Sequence, residues 1–84
     1  MSKTPVELGT TPAIPLTQAA AGARVRLVGI EAGMGLVARL AAMGLVRGVE
    51  LRVVSSRGRG PVVVEVLGTR VALGHGMAAK IVVR

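Results

Sequence analysis

No cysteine occurs anywhere in the 84 residues, so disulfide staples, thiolate metal sites and cysteine nucleophiles are all excluded. Aromatic residues are missing as well: the chain has no Phe, Trp or Tyr. A nucleic-acid reader that stacks bases on aromatic platforms is therefore excluded, since such stacking supplies about 1–3 kcal/mol per base. Acidic charge is scarce, four glutamates and no aspartate, and there is one histidine, His75. A catalytic triad or a carboxylate pair needs groups that converge. Glu31, Glu50 and Glu65 fall on separate segments and read as solubilising charges, so no enzyme is expected. One imidazole does not build a borderline-metal site, and isolated glutamates favour only weak binding of hard cations. No apolar run approaches the roughly 20 residues that cross a bilayer. The N-terminus, where Lys3 is followed by TPVELGTTPAIP, lacks the apolar core of a signal peptide. A soluble cytoplasmic protein, not inserted in a membrane, is the expectation.

What the chain does have is aliphatic bulk and positive charge. Hydrophobic residues make up 51% of the sequence, all from Val, Leu, Ala, Met and Ile. β-branched valine favours strands, and a core without aromatic rings must be compact. Lys and Arg number eleven against four Glu, a formal net charge of +7. Such a surplus attracts polyanions, anionic surfaces or acidic proteins.

The stretch GLVARLAAMGLVRG (35–48) organises the rest. Leu36, Leu40 and Met43 recur at spacings of four and three, the period of one helix face, with Val37 and Ala41 widening the stripe. Gly44 is expected to close the helix in a left-handed conformation, letting Leu45 fold back over Leu40. Arg47-Gly48 then turns the chain into a strand. Around this unit lie strands at 23–30, 49–55, from Pro61 through Val66, 70–73 and 81–83, with Ser56–Gly60 as a hairpin loop. Pro15-Leu16-Thr17 begins a short turn or single helical turn through Ala21, closed by Gly22, with Leu16 as its anchor into the core. Residues 74–79 are read as a turn or a single helical turn. In the first strand Val25, Leu27 and Gly29 are placed on one face, with Arg24, Arg26, Val28 and Ile30 on the other. The predicted fold is mainly β: a small, partly open barrel of about five strands with one inserted helix. Residues 1–14 are read as an extended tail and 15–84 as the domain.

The order of motifs resembles the FeoA family, ferrous iron transport protein A. RVRLVGIEAG (24–33), RLAAMGLVRG (39–48), VEVLGTRVAL (64–73) and AAKIVV (78–83) carry the resemblance. Its most specific part is Arg39, Leu40, Met43, Gly44, Leu45 and Gly48. The resemblance implies an SH3-like barrel without a cofactor. It further implies a non-catalytic cytosolic accessory of bacterial ferrous iron uptake, acting by protein contact on the membrane transporter FeoB. The same module occurs as the C-terminal domain of iron-dependent repressors, and this copy is expected to be free-standing. Where the family often has acidic residues after the fourth strand, this chain has Gly74, His75, Gly76 and Met77.

Outward-facing valine and leucine are in excess, and exposed apolar patches on small proteins mark contacts with other proteins. Arg24, Arg26, Val28, Arg39, Arg52, Val54, Val63 and Leu67 are thus the candidate partner-binding residues, an aliphatic patch rimmed by arginine. Leu36, Leu40, Met43, Gly44, Leu45 and Gly48 are assigned structural roles, with weak self-association allowed. Two alternatives stand beside this reading. A basic SH3-like barrel could bind nucleic acid through Arg24, Arg26, Arg52, Arg57, Arg59 and Arg70, or the module could recognise a peptide as in the repressors.

Overall fold

The structure, a computed structural model, describes residues 12–84. The elements in chain order are β1 (Ile14–Pro15), a 3-10 turn (Leu16–Gln18), β2 (Arg24–Ile30), α1 (Met34–Ala42), β3 (Glu50–Ser56), β4 (Val62–Val66), β5 (Thr69–Leu73), a single helical turn α2 (His75–Ala78) and β6 (Ile81–Val83). All strands join one antiparallel sheet in the order β1-β6-β2-β3-β4-β5. This is the expected small SH3-like, mainly β fold. The strand not foreseen is β1, which pairs Ile14 with Val83 and Pro15 with Val82 and so straddles the boundary drawn between tail and domain; residues 1–11 of the stretch read as a tail lie outside the described residues. Among the described residues the outer strands β1 and β5 do not pair, so the sheet curls without closing.

Period-two alternation does most of the folding. In β4 the pattern is strict: Val62, Val64 and Val66 are buried while Val63 and Glu65 are half-buried on the other face. Leu27, Leu51, Val53, Leu73, Ile81 and Val83 complete the strand contribution to the core, and Leu16 anchors it from the 3-10 turn. No polar or charged residue is buried as a whole among the described residues, so the core is aliphatic throughout. Each fully buried Leu, Val or Ile contributes about 1.5–3 kcal/mol against the entropy of ordering the chain.

Two irregularities change which side chains face out. The β2–β6 register shifts between Leu27 and Gly29, and the β3–β4 register shifts between Val53 and Ser55. Val28 and Val54 sit at these bulges, where an extra residue resets the alternation. Beyond Val28, Ile30 therefore pairs with fully buried Ile81 and packs against the core. That corrects the outward placement given by unbroken alternation.

Gly44 ends α1 as expected. Its φ is +88°, the Leu45 amide donates to Leu40 O at 2.9 Å and the Gly44 amide donates to Ala41 O at 2.9 Å. That pair of bonds is a Schellman closure, which satisfies carbonyls the helix would leave orphaned. Leu40 and Leu45 are both completely buried. The Gly48 amide then donates to Leu27 O at 2.7 Å, tying the end of the turn to β2.

Candidate protein-docking surface

α1 rests on the barrel along a thin edge. Of its nine residues only Leu40 is buried, with Leu36 half-buried and packed against the core. Met43, expected in the core stripe, follows the helix as its C-cap and is 38% exposed. Val37 and Ala41, expected to widen that stripe, face outward too. The large hydrophobic residues exposed among the described residues are Met34, Val37, Met43, Val46 and Leu67. The first four lie on α1 or the turn after it. Leu67 joins them from the β4–β5 turn, where its Cδ1 would lie 3.1 Å from a Cβ built on Gly44.

The helix is flanked by apolar depressions on both sides. One, of about 350 Å³, is lined by Leu27, Gly29, Ile30, Val37, Ala41, Leu45, Val46 and Arg47. The other, of about 510 Å³, runs between the end of α1 and the β4–β5 hairpin, lined by Ala41, Ala42, Met43, Gly44, Val66, Leu67, Thr69 and Val71. α1 is thus an aliphatic ridge between two grooves, a shape that receives an apolar partner surface from either side.

Leu67 adds a second oddity. Its φ is +52° and that of Gly68 is +79°, as a two-residue hairpin turn of the primed kind requires. Asparagine and glycine adopt that conformation readily, whereas leucine is unfavourable there. The turn is therefore both strained and apolar.

The strand arginines Arg24, Arg26, Arg52 and Arg70 occupy the outer face of the sheet. Strand register places Arg24 opposite Arg52, Arg52 opposite Glu65, and Glu65 opposite Arg70, a transverse row of three cations and one carboxylate. Arg26 opposite Glu50 forms the next row, toward α1. Arg52 Nη2 donates to Glu65 Oε1 at 2.6 Å, and Arg26 Nη1 donates to Gly48 O at 2.7 Å. The hydrogen bond from Arg52 and its charge hold the Glu65 carboxyl below its ordinary pKa; partial burial opposes this, and Arg70 and Arg24 add to the lowering.

The structure thus separates what sequence reasoning had joined. Arg24, Arg26 and Arg52 do share one face. Arg39 is exposed on α1, and Leu67 lies beside the end of that helix. Val28 and Val54 are half-buried at bulges, and Val63 is half-buried on β4 opposite Ser55 and Ala72. Those valines do not join the apolar ridge. The exposure of Met34, Val37 and Val46 had a readable signal: MGLVARLAAMGLV (34–46) is apolar almost all round, with one charge. A helix of that kind needs cover on every side, which one small sheet does not supply. His75 is half-buried, and its Nδ1 is shut from solvent with no hydrogen-bond partner among the described residues. No group of three His, Cys, Asp or Glu side chains converges among the described residues.

The FeoA domain model matches residues 14–84. The chain belongs to the FeoA family. A Methanocaldococcus jannaschii protein named for Fe(2+) transport protein A is 39% identical over 69 residues, covering 82% of this chain and 83% of its own. The crystal structure of an iron uptake regulatory protein, FeoA, superposes with a TM-score of 0.82 at 33% identity, over 87% of this chain and 97% of that one. A manganese-dependent transcriptional repressor matches with a TM-score of 0.78 at 25% identity, over 96% of this chain but 46% of its own. The FeoA fold is therefore also a module within a larger regulator. In this FeoA chain no helix among the described residues is long and apolar enough to cross a membrane.

Proposed function

We propose that this chain is a non-catalytic accessory of ferrous iron uptake that acts in the cytoplasm by docking onto the cytoplasmic region of an FeoB-type transporter. Membership of the FeoA family supports the pathway, and the gathering of exposed aliphatic residues on α1 and the β4–β5 turn carries the mode of action. Met34, Val37, Met43, Val46 and Leu67 form the contact, and Arg39 and Arg47 stand at its margin. The wider arginine surplus, including Arg24, Arg26 and Arg52, steers the encounter, an effect that appears in the association rate and its salt dependence.

This differs from the arginine-rimmed patch expected on the sheet, since Val28, Val54 and Val63 take no part. It also disfavours nucleic acid. The row Arg24, Arg52, Glu65 and Arg70 places a carboxylate among the cations that phosphates would need, and no aromatic platform exists.

Titration calorimetry against a purified FeoB cytoplasmic region tests the reading. Met34→Ser combined with Val37→Ser, both at exposed positions, is expected to weaken binding at least tenfold without changing the melting temperature. Equal affinity for the wild type and the double variant would remove α1 from the interface.

A further inference from the structure

β5 is an open edge. It pairs with β4 alone, and no other backbone hydrogen bond reaches it among the described residues. Which of its amides are free follows from the turn. Val66 and Thr69 close the two-residue hairpin and form a hydrogen-bonded pair, so Val64 with Val71 and Val62 with Leu73 do the same. The N–H and C=O groups of Arg70 and Ala72 therefore point away from β4, and both residues are exposed. Four unpaired main-chain groups at strand spacing are a template for another strand.

What lies beside that edge on each face is equally definite. On the inner face is the 510 Å³ groove, bounded by Thr69, Val71, Met43 and Leu67. On the outer face is Arg70, at the end of the charged row. Glu65 lies opposite Arg70, but its hydrogen bond goes to Arg52, which leaves the Arg70 guanidinium without a hydrogen-bonded carboxylate among the described residues.

We propose that β5 takes up an extended segment of a partner protein as an added antiparallel strand, and that the segment reads apolar–acidic–apolar. The residue opposite Arg70 exchanges both main-chain hydrogen bonds with it and projects its carboxylate onto the guanidinium. The residues before and after that acid project the other way, into the groove beside Met43 and Leu67. Main-chain bonds supply attachment, and the alternation supplies selectivity. The inference rests on the docking reading above and names the chemistry of its partner: the strand added at β5 shares one groove with the α1 ridge.

A fluorescein-labelled Ser-Val-Glu-Val-Ser peptide and its lysine counterpart, Ser-Val-Lys-Val-Ser, serve as probes in polarisation titrations of the full chain. Wild type is expected to bind the glutamate peptide saturably and more tightly than the lysine peptide. Ala72→Pro removes an outward N–H without touching the β4 ladder, a change edge strands tolerate, and is expected to weaken binding at least tenfold. Arg70→Glu is expected to invert the preference, binding the lysine peptide more tightly than wild type does, which a merely damaged fold would not do. Absence of saturable binding up to millimolar peptide, or equal binding by all three proteins, overturns the proposal. So does a tenfold gain on deleting residues 1–11, which gives the edge to the chain's own N-terminal segment. A concentration-dependent dimer abolished by Ala72→Pro likewise overturns it, by giving the edge to a second copy. Capture of the FeoB region separates the two levels. If Met34→Ser with Val37→Ser loses it while Ala72→Pro keeps it, the added strand falls and α1 docking stands; if neither variant matters, both fall.

Discussion

Replacing Gly44 with alanine tests the closure of α1 directly, and the structure divides its cost into two parts. The first is conformational. Gly44 has φ +88°, and holding an L-residue in the left-handed region costs about 1–2 kcal/mol. The second is contact, because the new Cβ would lie 3.1 Å from Leu67 Cδ1. That atom is the tip of a side chain that is 77% exposed, so it swings aside at about 0.5–1.5 kcal/mol or less. Gly48 is the internal control: its φ is +94°, yet nothing lies within 4 Å of a Cβ built there, so Gly48→Ala carries only the first cost. Gly44→Ala is accordingly expected to lose up to about 3.5 kcal/mol, and Gly48→Ala about 1–2 kcal/mol. In a Leu67→Ala background the excess at Gly44 disappears. The chain lacks Trp and Tyr, so unfolding is followed by far-ultraviolet circular dichroism in urea, with thermal midpoints falling about 4–8 °C per kcal/mol for a domain of this size. If Gly44→Ala unfolds with the wild type, the Schellman closure is not what ends α1. If Leu67→Ala leaves the difference between the two glycines unchanged, the close approach is not a real cost.

The turn itself gives a prediction of opposite sign: Leu67→Asn relieves the left-handed leucine and is expected to stabilise by about 0.5–1 kcal/mol while weakening FeoB capture, so a variant that gains both stability and affinity contradicts the role assigned here. Leu40→Ala, in contrast, empties a fully buried site and should cost about 2–5 kcal/mol in urea unfolding; an unchanged midpoint would mean α1 is not held by that side chain. The pair Arg52–Glu65 sets a pH dependence. The folded-state pKa of Glu65 lies below its unfolded value, so its contribution is present above the ordinary carboxylate range and is lost as pH falls through the lower folded value. The denaturation midpoints of wild type and Glu65→Gln should therefore converge as pH is taken from 7 to below about 4, and divergence in acid would reverse the sign of the argument.

Where the sequence was informative, a single physical rule dominated the local outcome. Strict valine alternation left β4 no second register, and a glycine after an aliphatic helical run left α1 one place to stop. The failures come from places where tertiary pairing overrides a local rule. No propensity marks Val28 or Val54 as bulges; those arise because β2 and β3 must curl against β6 and β4, and a one-residue shift moved Ile30 inward. The strand Ile14–Pro15 is too short to read alone and exists through its pairing with β6. At the site, Arg24, Arg26 and Arg52 were legible as neighbours because alternation and register agree. The exposure of Met34 and Val37 was not legible, because a helical stripe ordinarily marks burial, and only the three-dimensional arrangement tells how little of α1 the sheet covers.

That thin seat has a consequence for how recognition is encoded. Leu40, Leu45 and the backbone at Gly44 and Gly48 moor α1, while Met34, Val37, Ala38 and Ala41 look outward. Positions that keep the helix in place are thus separate from positions a visitor would meet. Such a helix behaves as an interchangeable keyboard: its outer letters are free to drift with a changing partner while the anchorage is retyped unaltered.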